Sequence, residues 1–274
     1  MSLVGYAQDL ELLYESFNRR EYVHPDPLEV VLLYEDPADR EIVALVASVL
    51  AYGRVPQIIR SIGLALRPMG LAPCRYLWDA TADQLRRDHA AFCHRFSTGD
   101  QLAALLTGVK RLLRLYGSLR EFFVSALLES DGDVLPALQS FADGLAVVAC
   151  APVGHLLPQP SKGSACKRLN LLLRWMVRRD DVDPGGWEEV SPSRLLVPLD
   201  THMHRICLGL GATRRPVADL RAAVEITEAF RKISPDDPVK YDFVLTRLAI
   251  RPDVCPAAAF CRTKEVVGHV AVPA

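Results

Sequence analysis

Apolar residues recur at helical spacing along nearly the whole chain, and this periodicity limits the fold more than any other feature. In residues 5–19, Leu10, Leu13 and Phe17 fall on one helical face. Residues 42–51 are apolar almost all round, so we expect them to form a central, buried helix. The chain shows no run of alternating β-branched residues and no repeat of fixed period. The sequence therefore predicts an all-α protein of about 11 to 13 helices.

Segments rich in glycine and proline divide this helical pattern and predict where two parts of the molecule meet. The loop near 150–163 and the turns near 180–190 are the predicted seams. We expect residues 38–205 to form one helical lobe, and residues 1–35 together with 210–274 to form the other. A two-lobed bundle has a cleft between its halves, which is a common position for a binding site.

The composition is that of an ordinary globular protein. The formal net charge is −1 and 50% of the residues are hydrophobic, which disfavours strong nonspecific attraction to nucleic acid. Basic residues are nevertheless concentrated in 162–179, where no acidic residue occurs. The seven cysteines are scattered, and the first residues contain acids without a long apolar stretch. We therefore expect reduced thiols in a cytoplasmic protein that is not bound to a membrane.

A turn that leads into a helix at Lys167 is the first candidate site. In the motif Gly163-Ser164-Ala165-Cys166-Lys167, a tight turn points backbone N–H groups outward, an arrangement that binds phosphate. A partly desolvated lysine at such a position is also a suitable nucleophile. The alternative is a solvated lysine in the first turn of an amphipathic helix, and the motif alone leaves both interpretations open.

Asp200, the second candidate residue, begins the next long helix. It follows the apolar run 195–199 and precedes Thr201 and His202. Aspartate is a preferred N-cap, and a helix start keeps such a carboxylate ionised and fixed. A structural cap and a reactive carboxylate are both consistent with this position. If the two helix starts share one cleft, the amine of Lys167 and this carboxylate suit covalent chemistry at a sugar carbon.

The sequence predicts no metal and no cofactor. A helix places His202 and His204 on different faces, so they are not expected to ligate one ion together. Cys207, Cys255 and Cys261 do not have the four-cysteine spacing of an iron–sulfur cluster.

The end of the central helix carries an aromatic and a basic side chain. Tyr52 and Arg54 follow that helix, with Gly53 between them. Such a pair suits stacking on a nucleobase and hydrogen bonding to it. Arg54 is equally consistent with neutralising the negative end of the helix dipole.

At these residues the chain resembles the helix-hairpin-helix DNA glycosylase superfamily, which includes endonuclease III and the 8-oxoguanine glycosylases. The hairpin-like motif spans about 156–178, with 163–167 on the G-x-G-x-K part of the signature and Ala165 in place of its second glycine. Residues 199–202 match the V-D-x-H part. The spacing from Lys167 to Asp200 is longer than in endonuclease III and nearer to that of archaeal 8-oxoguanine glycosylases.

The chain is also identified as a member of a bacterial family of about this length. The motifs of that family are S-A-C-K-R-L-N, R-W-M-V-R, P-L-D-T-H and D-P-V-K-Y-D-F. Here they begin at Ser164, Arg174, Pro198 and Asp237.

The glycosylase resemblance implies a fold, an activity and a set of site residues. The implied fold is a two-lobed helical bundle in which Lys167 is the nucleophile and Asp200 the assisting carboxylate. The base is flipped out of duplex DNA before the reaction. The implied DNA-binding residues are Lys162, Gly163, Ser164, Ala165, Arg168 and His202. The base pocket is assigned to Tyr52, Arg54 and Trp175.

The expected protein is thus a monomeric DNA N-glycosylase with lyase activity on damaged duplex DNA, with an oxidised purine as the expected lesion. Two other classes stay open. One is a nucleic-acid-binding module that kept the fold without the reaction, and the other is an enzyme acting on a nucleoside or a small sugar. The presence of both Lys167 and Asp200 favours an enzyme, whereas the altered hairpin favours the binding module.

Overall fold

The computed structural model describes residues 3–128 and 132–250, and most of this part of the chain is helical. The all-α prediction is confirmed. The α-helices of these residues are α1 (Ala7–Phe17), α2 (Leu28–Val31), α3 (Pro37–Val49), α4 (Val55–Leu66), α5 (Pro73–Asp79), α6 (Ala82–His89), α7 (Gly99–Tyr116), α8 (Leu119–Ser125), α9 (Leu135–Ala149), α10 (Lys167–Val177), α11 (Thr201–Gly209), α12 (Leu220–Arg231) and α13 (Asp242–Ile250). None of them is both long enough and apolar enough to span a membrane.

A short β-hairpin interrupts the helices, and the sequence did not predict it. Strand β1 (Cys93–His94) pairs antiparallel with strand β2 (Ser97–Thr98). Arg95 and Phe96 form the loop between them, and Arg95 has a left-handed backbone with φ 53°, as two-residue hairpin loops commonly require. Strands this short show no periodicity in the sequence, so pattern analysis could not find them.

The central helix α3 is buried all round over residues 42–49, as its apolar sequence predicted. The start of this helix is capped: Asp36 Oδ1 accepts the backbone N–H of Ala38 at 2.9 Å, and Pro37 occupies the first turn. Helix α10 packs directly on α3. The helix that begins at Lys167 is therefore held against the most buried element of the described residues.

The two ends of the described chain come together. Residues Leu3–Tyr6 pack on α12, while α1 and α11 both pack on α13. The buried apolar side chains form one continuous cluster that includes residues from both ends. The division into a lobe of 38–205 and a lobe of 1–35 with 210–274 stays a prediction. Residues 251–274 of the second lobe lie outside the described residues.

The connection from α10 to α11 contains a brace, defined here as residues 180–190, that closes the C-terminal end of α10. Backbone N–H groups of Gly185 and Trp187 donate to carbonyl groups at that end, at 3.0 and 2.7 Å. The Trp187 indole N–H donates to Glu41 Oε1 on α3 at 2.9 Å. The brace thus satisfies carbonyl groups that a helix end leaves free, and it fastens α10 to α3.

Candidate active site at the start of α10

A strained turn brings the chain into α10 at Lys167. Gly163 has a left-handed backbone with φ 76°, and its N–H donates to Pro160 O at 2.8 Å. Cys166 also has a positive φ, 47°, which is costly for a non-glycine residue and persists only where its surroundings fix it. Cys166 is buried, and its N–H donates to the Ser164 hydroxyl at 3.1 Å. No side chain caps the start of this helix, so its first backbone N–H groups have no capping side chain as a partner.

Asp200 begins α11 in the way that the sequence predicted. Its Oδ1 atom accepts hydrogen bonds from the backbone N–H groups of His202 and Met203, both at 2.9 Å. The preceding run, residues 195–199, is buried. The Thr227 hydroxyl on α12 accepts a backbone N–H of this run at 3.0 Å. The carboxylate is therefore fixed both by its own helix and by the segment that leads to it.

The two candidate residues are in contact. Lys167 Nζ lies 2.9 Å from Asp200 Oδ2, and the side chains are 32% and 26% exposed. The pair is therefore partly desolvated but still open to a ligand. The two carboxylate oxygens of Asp200 have separate partners, because one accepts from the helix start and the other contacts the lysine. The cap and the reactive carboxylate are thus compatible interpretations of this residue.

The surroundings of Asp200 keep it ionised. Burial raises the pKa of this carboxyl group, but the Lys167 ammonium and the Met203 N–H lower it by more. The pKa of Asp200 therefore lies below its usual range. A fixed anion stabilises positive charge that develops nearby during a reaction. The pair combines an amine that is a candidate nucleophile with an electrostatic partner.

An ionic network, largely buried, continues along the same face of α10. It consists of one arginine in α10, one arginine just after it, two aspartates of the brace, one aspartate before α13 and one at the start of α13: Arg174, Arg178, Asp180, Asp183, Asp237 and Asp242. Arg174 follows Lys167 by about two helical turns, and it lies 3.1 Å from Asp183 and 2.5 Å from Asp242. The motifs R-W-M-V-R and D-P-V-K-Y-D-F are therefore ionic partners in the fold.

The Lys167–Asp200 pair and the ionic network both lie in a region of the chain that matches a known protein family. The profile of the family described as Protein of unknown function (DUF2400) matches residues 26–251, more than half of the chain. The chain belongs to the DUF2400 family. No curated protein and no solved structure matches it. The matched range contains the Lys167–Asp200 pair and the complete ionic network, whereas α1 lies before it.

The network corrects the interpretation of the basic run at 162–179. Arg174 and Arg178 are each 3% exposed, and their guanidinium groups contact aspartates of the network. They are therefore not available to phosphate. Lys162, in the turn before α10, is exposed, so this run presents a much smaller basic surface than its sequence suggested.

Two residues that were expected to contact DNA are buried in the family domain. The Arg168 guanidinium donates to the backbone oxygens of Val49 at 2.8 Å and Leu156 at 3.2 Å. It therefore anchors α10 to the end of α3 and cannot serve as the expected phosphate contact. Trp175 is fully buried, so it is not a surface of the base pocket. Both errors have one cause: α10 is packed on several sides, which its own sequence did not reveal.

Tyr52, also assigned to the base pocket, is enclosed by its neighbours. The Arg168 guanidinium carbon lies 4.9 Å from the centre of its ring. The rings of His94 and His155 meet it edge-on at 4.5 and 4.8 Å. Its hydroxyl is hydrogen-bonded to His94 O at 2.9 Å and to Ser97 Oγ at 2.8 Å. Tyr52 therefore joins α3, the β-hairpin and α10, and it is not a free stacking surface.

The other predicted site residues are mostly at the surface. The exposed ones are Lys162, Gly163, Ser164, His202 and Arg54. Ala165 is buried. His204 is buried as well, and its Nε2 atom donates to Arg215 O at 2.9 Å, so the two histidines of the motif lie on different faces. Cys255 and Cys261 lie outside the described residues.

Sequence reasoning missed a surface at the β-hairpin. The hairpin surface, defined as Arg95, Phe96 and His155, presents Phe96 with 70% of its side chain exposed. The Arg95 guanidinium carbon and the His155 ring lie 5.6 and 5.8 Å from the Phe96 ring centre. Tyr52 connects this surface to Arg168 at the start of α10. An exposed aromatic ring beside basic groups suits stacking on nucleobases, but its only sequence signal was a lone phenylalanine among polar residues.

Proposed function

We propose that the protein is a DNA N-glycosylase with associated lyase activity, which removes a damaged base, an oxidised purine, from duplex DNA. The observation that carries the proposal is the 2.9 Å contact between Lys167 Nζ and Asp200 Oδ2 at two helix starts. A lysine nucleophile and a fixed carboxylate are the groups that this reaction needs. The resemblance of the surrounding motifs to the helix-hairpin-helix glycosylases supports the same assignment.

In the proposed reaction, a flipped-out nucleotide presents its C1′ atom to Lys167. The deprotonated amine bonds to C1′ while the bond to the base breaks, and the bonding electrons leave with the base, which takes up a proton. Asp200 stabilises the positive charge that develops on the sugar. The attached nitrogen then gives a proton to O4′ as the C1′–O4′ bond breaks, which opens the sugar ring and leaves a protonated imine. Loss of a C2′ proton from this imine expels the 3′ phosphate and cuts the strand.

Exposed groups near the pair suit contacts with nucleic acid. We assign the turn that contains Lys162 and Gly163 to the phosphate backbone, because the Lys162 side chain is exposed and its ammonium group attracts an anion. We assign the hairpin surface to unstacked bases near the extruded nucleotide, because Phe96 is exposed beside Arg95. Both assignments follow from exposure and chemical type.

Borohydride trapping tests this proposal directly. Duplexes that each carry one oxidised, deaminated or abasic nucleotide are incubated with the protein over a range of pH, and the imine is reduced to a stable crosslink. The wild-type protein is expected to crosslink to at least one damaged-base duplex. Lys167→Gln should remove the crosslink. Lys232→Gln is the matched control, because it removes an exposed lysine just after α12, outside the proposed site, and should still crosslink.

A wild-type protein that crosslinks to no duplex at any pH would contradict the proposed function. Equal crosslinking by wild type and Lys167→Gln would contradict the assigned nucleophile. Binding to DNA without base release would indicate the nucleic-acid-binding module that the sequence analysis left open.

A second candidate function is base removal from a free nucleoside. The burial of Arg168, Arg174 and Arg178 favours it, because few exposed cations then surround the pair for a phosphate backbone. The chemistry at C1′ would be the same, but contacts with a polymer would not be needed. Base release from nucleosides, in the absence of crosslinking to any duplex, would support this candidate.

A further inference from the structure

Asp242 is a buried carboxyl group that the proposed chemistry does not use. It begins α13 and is 3% exposed, and its Oδ2 atom accepts a hydrogen bond from Arg174 at 2.5 Å. Its other oxygen, Oδ1, is buried and has no hydrogen-bond partner among the described residues. Buried polar atoms are normally paired, and an unpaired oxygen of an anion is especially costly. The carboxyl group is therefore only half satisfied as an anion.

The ionic network holds more carboxylates than cations. Its four aspartates face two arginines, and Arg174 is shared between Asp183 and Asp242. The Lys167–Asp200 pair does not compensate for this excess, because it is neutral when both of its members are ionised. A bound proton is the simplest way to neutralise a buried carboxylate.

Among the four aspartates, Asp242 is the one best placed to carry this proton. Asp183 contacts both arginines of the network. Asp180 contacts Arg178 and accepts the Tyr14 hydroxyl at 2.9 Å. Asp237 also has a buried Oδ1 atom without a hydrogen-bond partner, but its side chain is 24% exposed. Asp242 alone in this set is buried with a single ionic contact.

Asp242 also lies close to the candidate site in the fold, because α13, which it begins, packs on α11, which Asp200 caps. Burial raises the pKa of Asp242 to about 6, against the opposing charge of Arg174; the Asp200 anion adds to the rise and the Lys167 cation reduces it. Burial likewise raises the pKa of the Cys207 thiol on α11, and Asp242 and Asp200 both contribute. The carboxyl groups of Asp242 and Asp200 therefore both influence the Cys207 thiol.

The other charged groups near α13 are already paired. Arg247, on α13 itself, lies 2.5 Å from Asp26. On α1, Glu11 lies 2.7 Å from Lys240, and Tyr14 is bonded to the brace. The groups left to influence the charge of Asp242 are therefore those of the network and of the Lys167–Asp200 pair.

We propose that Asp242 is a positioning residue of the site, a proton-carrying carboxyl group whose charge is coupled to that of the Lys167–Asp200 pair. When Asp242 is ionised, two carboxylates stabilise the lysine ammonium. When it is protonated, it contributes no charge to the site. The catalytic meaning of this coupling rests on the proposed function, but the coupling itself does not.

Carbon-13 NMR of the aspartate carboxyl groups tests the coupling without DNA. Asp242→Asn identifies the Asp242 signal by its disappearance. Lys167→Gln removes a cation, so the titration midpoint of Asp242 is expected to rise. Asp200→Asn removes an anion, so that midpoint is expected to fall, in each case by about half a pH unit or more. Asp83→Asn, which removes an exposed carboxylate of α6, is the matched control and should cause no shift.

An unchanged Asp242 midpoint in both Lys167→Gln and Asp200→Asn would overturn the proposal. So would an Asp242 that stays ionised down to about pH 4. If a variant fails to fold, the wild-type protein alone tests the coupling, because the NMR signal of each coupled group shifts when the other group titrates. The Asp200 signal must then show a second step at the Asp242 midpoint, and its absence would overturn the coupling. Lack of crosslinking to lesion DNA, by contrast, would contradict the proposed function but would not affect the test of the coupling.

Discussion

Asp200 uses one oxygen for its helix and the other for Lys167, so its two roles are separable by substitution. Asp200→Asn keeps an oxygen for the helix N–H groups but removes the anion. We expect its unfolding free energy to stay within about 1 kcal/mol of wild type, while crosslinking to lesion DNA slows about 10²-fold or more. Asp200→Ala also loses the cap and should be about 1 kcal/mol less stable. Urea unfolding and borohydride trapping measure the two effects.

The opposite pattern for Asp200→Asn is informative as well. A variant that unfolds readily, or one that keeps the full rate of crosslinking, would reduce Asp200 to a structural cap.

The acid side of the stability curve provides an independent check on Asp200. Its pKa lies below the usual range in the folded protein, so its ionisation stabilises the fold above the unfolded carboxyl pKa of about 4. This contribution is lost as the pH falls through the lower, folded pKa. The difference in unfolding free energy between wild type and Asp200→Asn should therefore shrink from about pH 5 toward pH 3. A difference that stays constant over this range would show that the carboxylate is not stabilised in the fold.

Lys162 and Arg168, which had the same role in the sequence analysis, now have different expected phenotypes. Lys162→Glu changes an exposed residue, so it should weaken DNA binding on every sequence and reduce the salt slope by about 0.9. Arg168→Glu places an anion against the carbonyl groups of Val49 and Leu156, and should destabilise the fold by about 3–5 kcal/mol. Binding titrations at several salt concentrations and thermal unfolding distinguish them. A stable Arg168→Glu that only loses DNA binding would restore the original interpretation.

At the scale of the elements, the helix starts were predictable because their signals are local. Asp36 with Pro37, and Asp200 before Thr201, each show a cap within a few residues of the helix they begin. The buried face of a helix is not local in this sense. Arg168 lies on a face of α10 that the end of α3 covers, and only the fold reveals that contact.

Glu41 is the residue through which the brace holds α3, α8 and α10 together. Its two oxygens accept the N–H groups of Leu119 and Arg120 at 2.7 Å each and the Trp187 indole N–H at 2.9 Å. Glu41→Gln replaces one acceptor by an NH₂ group, so at least one buried donor then faces a donor. We expect a loss of about 1–3 kcal/mol in urea unfolding. Glu188→Gln, at an exposed brace residue, is the control, and equal stability of the two variants would contradict this role.

At the scale of the whole molecule, the fold class was predictable and the long-range ionic contacts were not. Helical periodicity is carried by neighbours in sequence, so an all-α protein follows from reading short windows. The contact between Arg174 and Asp242 joins residues that no local pattern relates. Both motifs were visible in the sequence, but only the fold shows that their residues are in contact. The pairing of Lys167 with Asp200 was implied by the glycosylase resemblance, because local patterns indicated only that both residues begin helices beside apolar runs.

The continuous core and the ionic network predict that the described chain unfolds as one unit. Arg178 binds Asp180 of the brace and Asp237 before α13, and Tyr14 of α1 binds Asp180. Neither the brace nor α13 can separate from α10 without leaving buried charges unpaired. We expect one calorimetric transition whose van't Hoff and calorimetric enthalpies agree. Two resolved transitions would instead support the division into separate lobes.

In evolutionary terms, the ionic network makes residues that are distant in sequence depend on one another. Loss of Arg174 alone would leave Asp242 without an ionic partner and remove one of the two partners of Asp183, and no single second substitution restores both contacts. Such positions change together or through an apolar replacement of the whole set. A lineage that carries this network therefore keeps α10, the brace and α13 as partners. The tip of the β-hairpin is under no such constraint, so Phe96 can be exchanged, and the ligand that the surface meets can change, without disturbing the rest of the molecule.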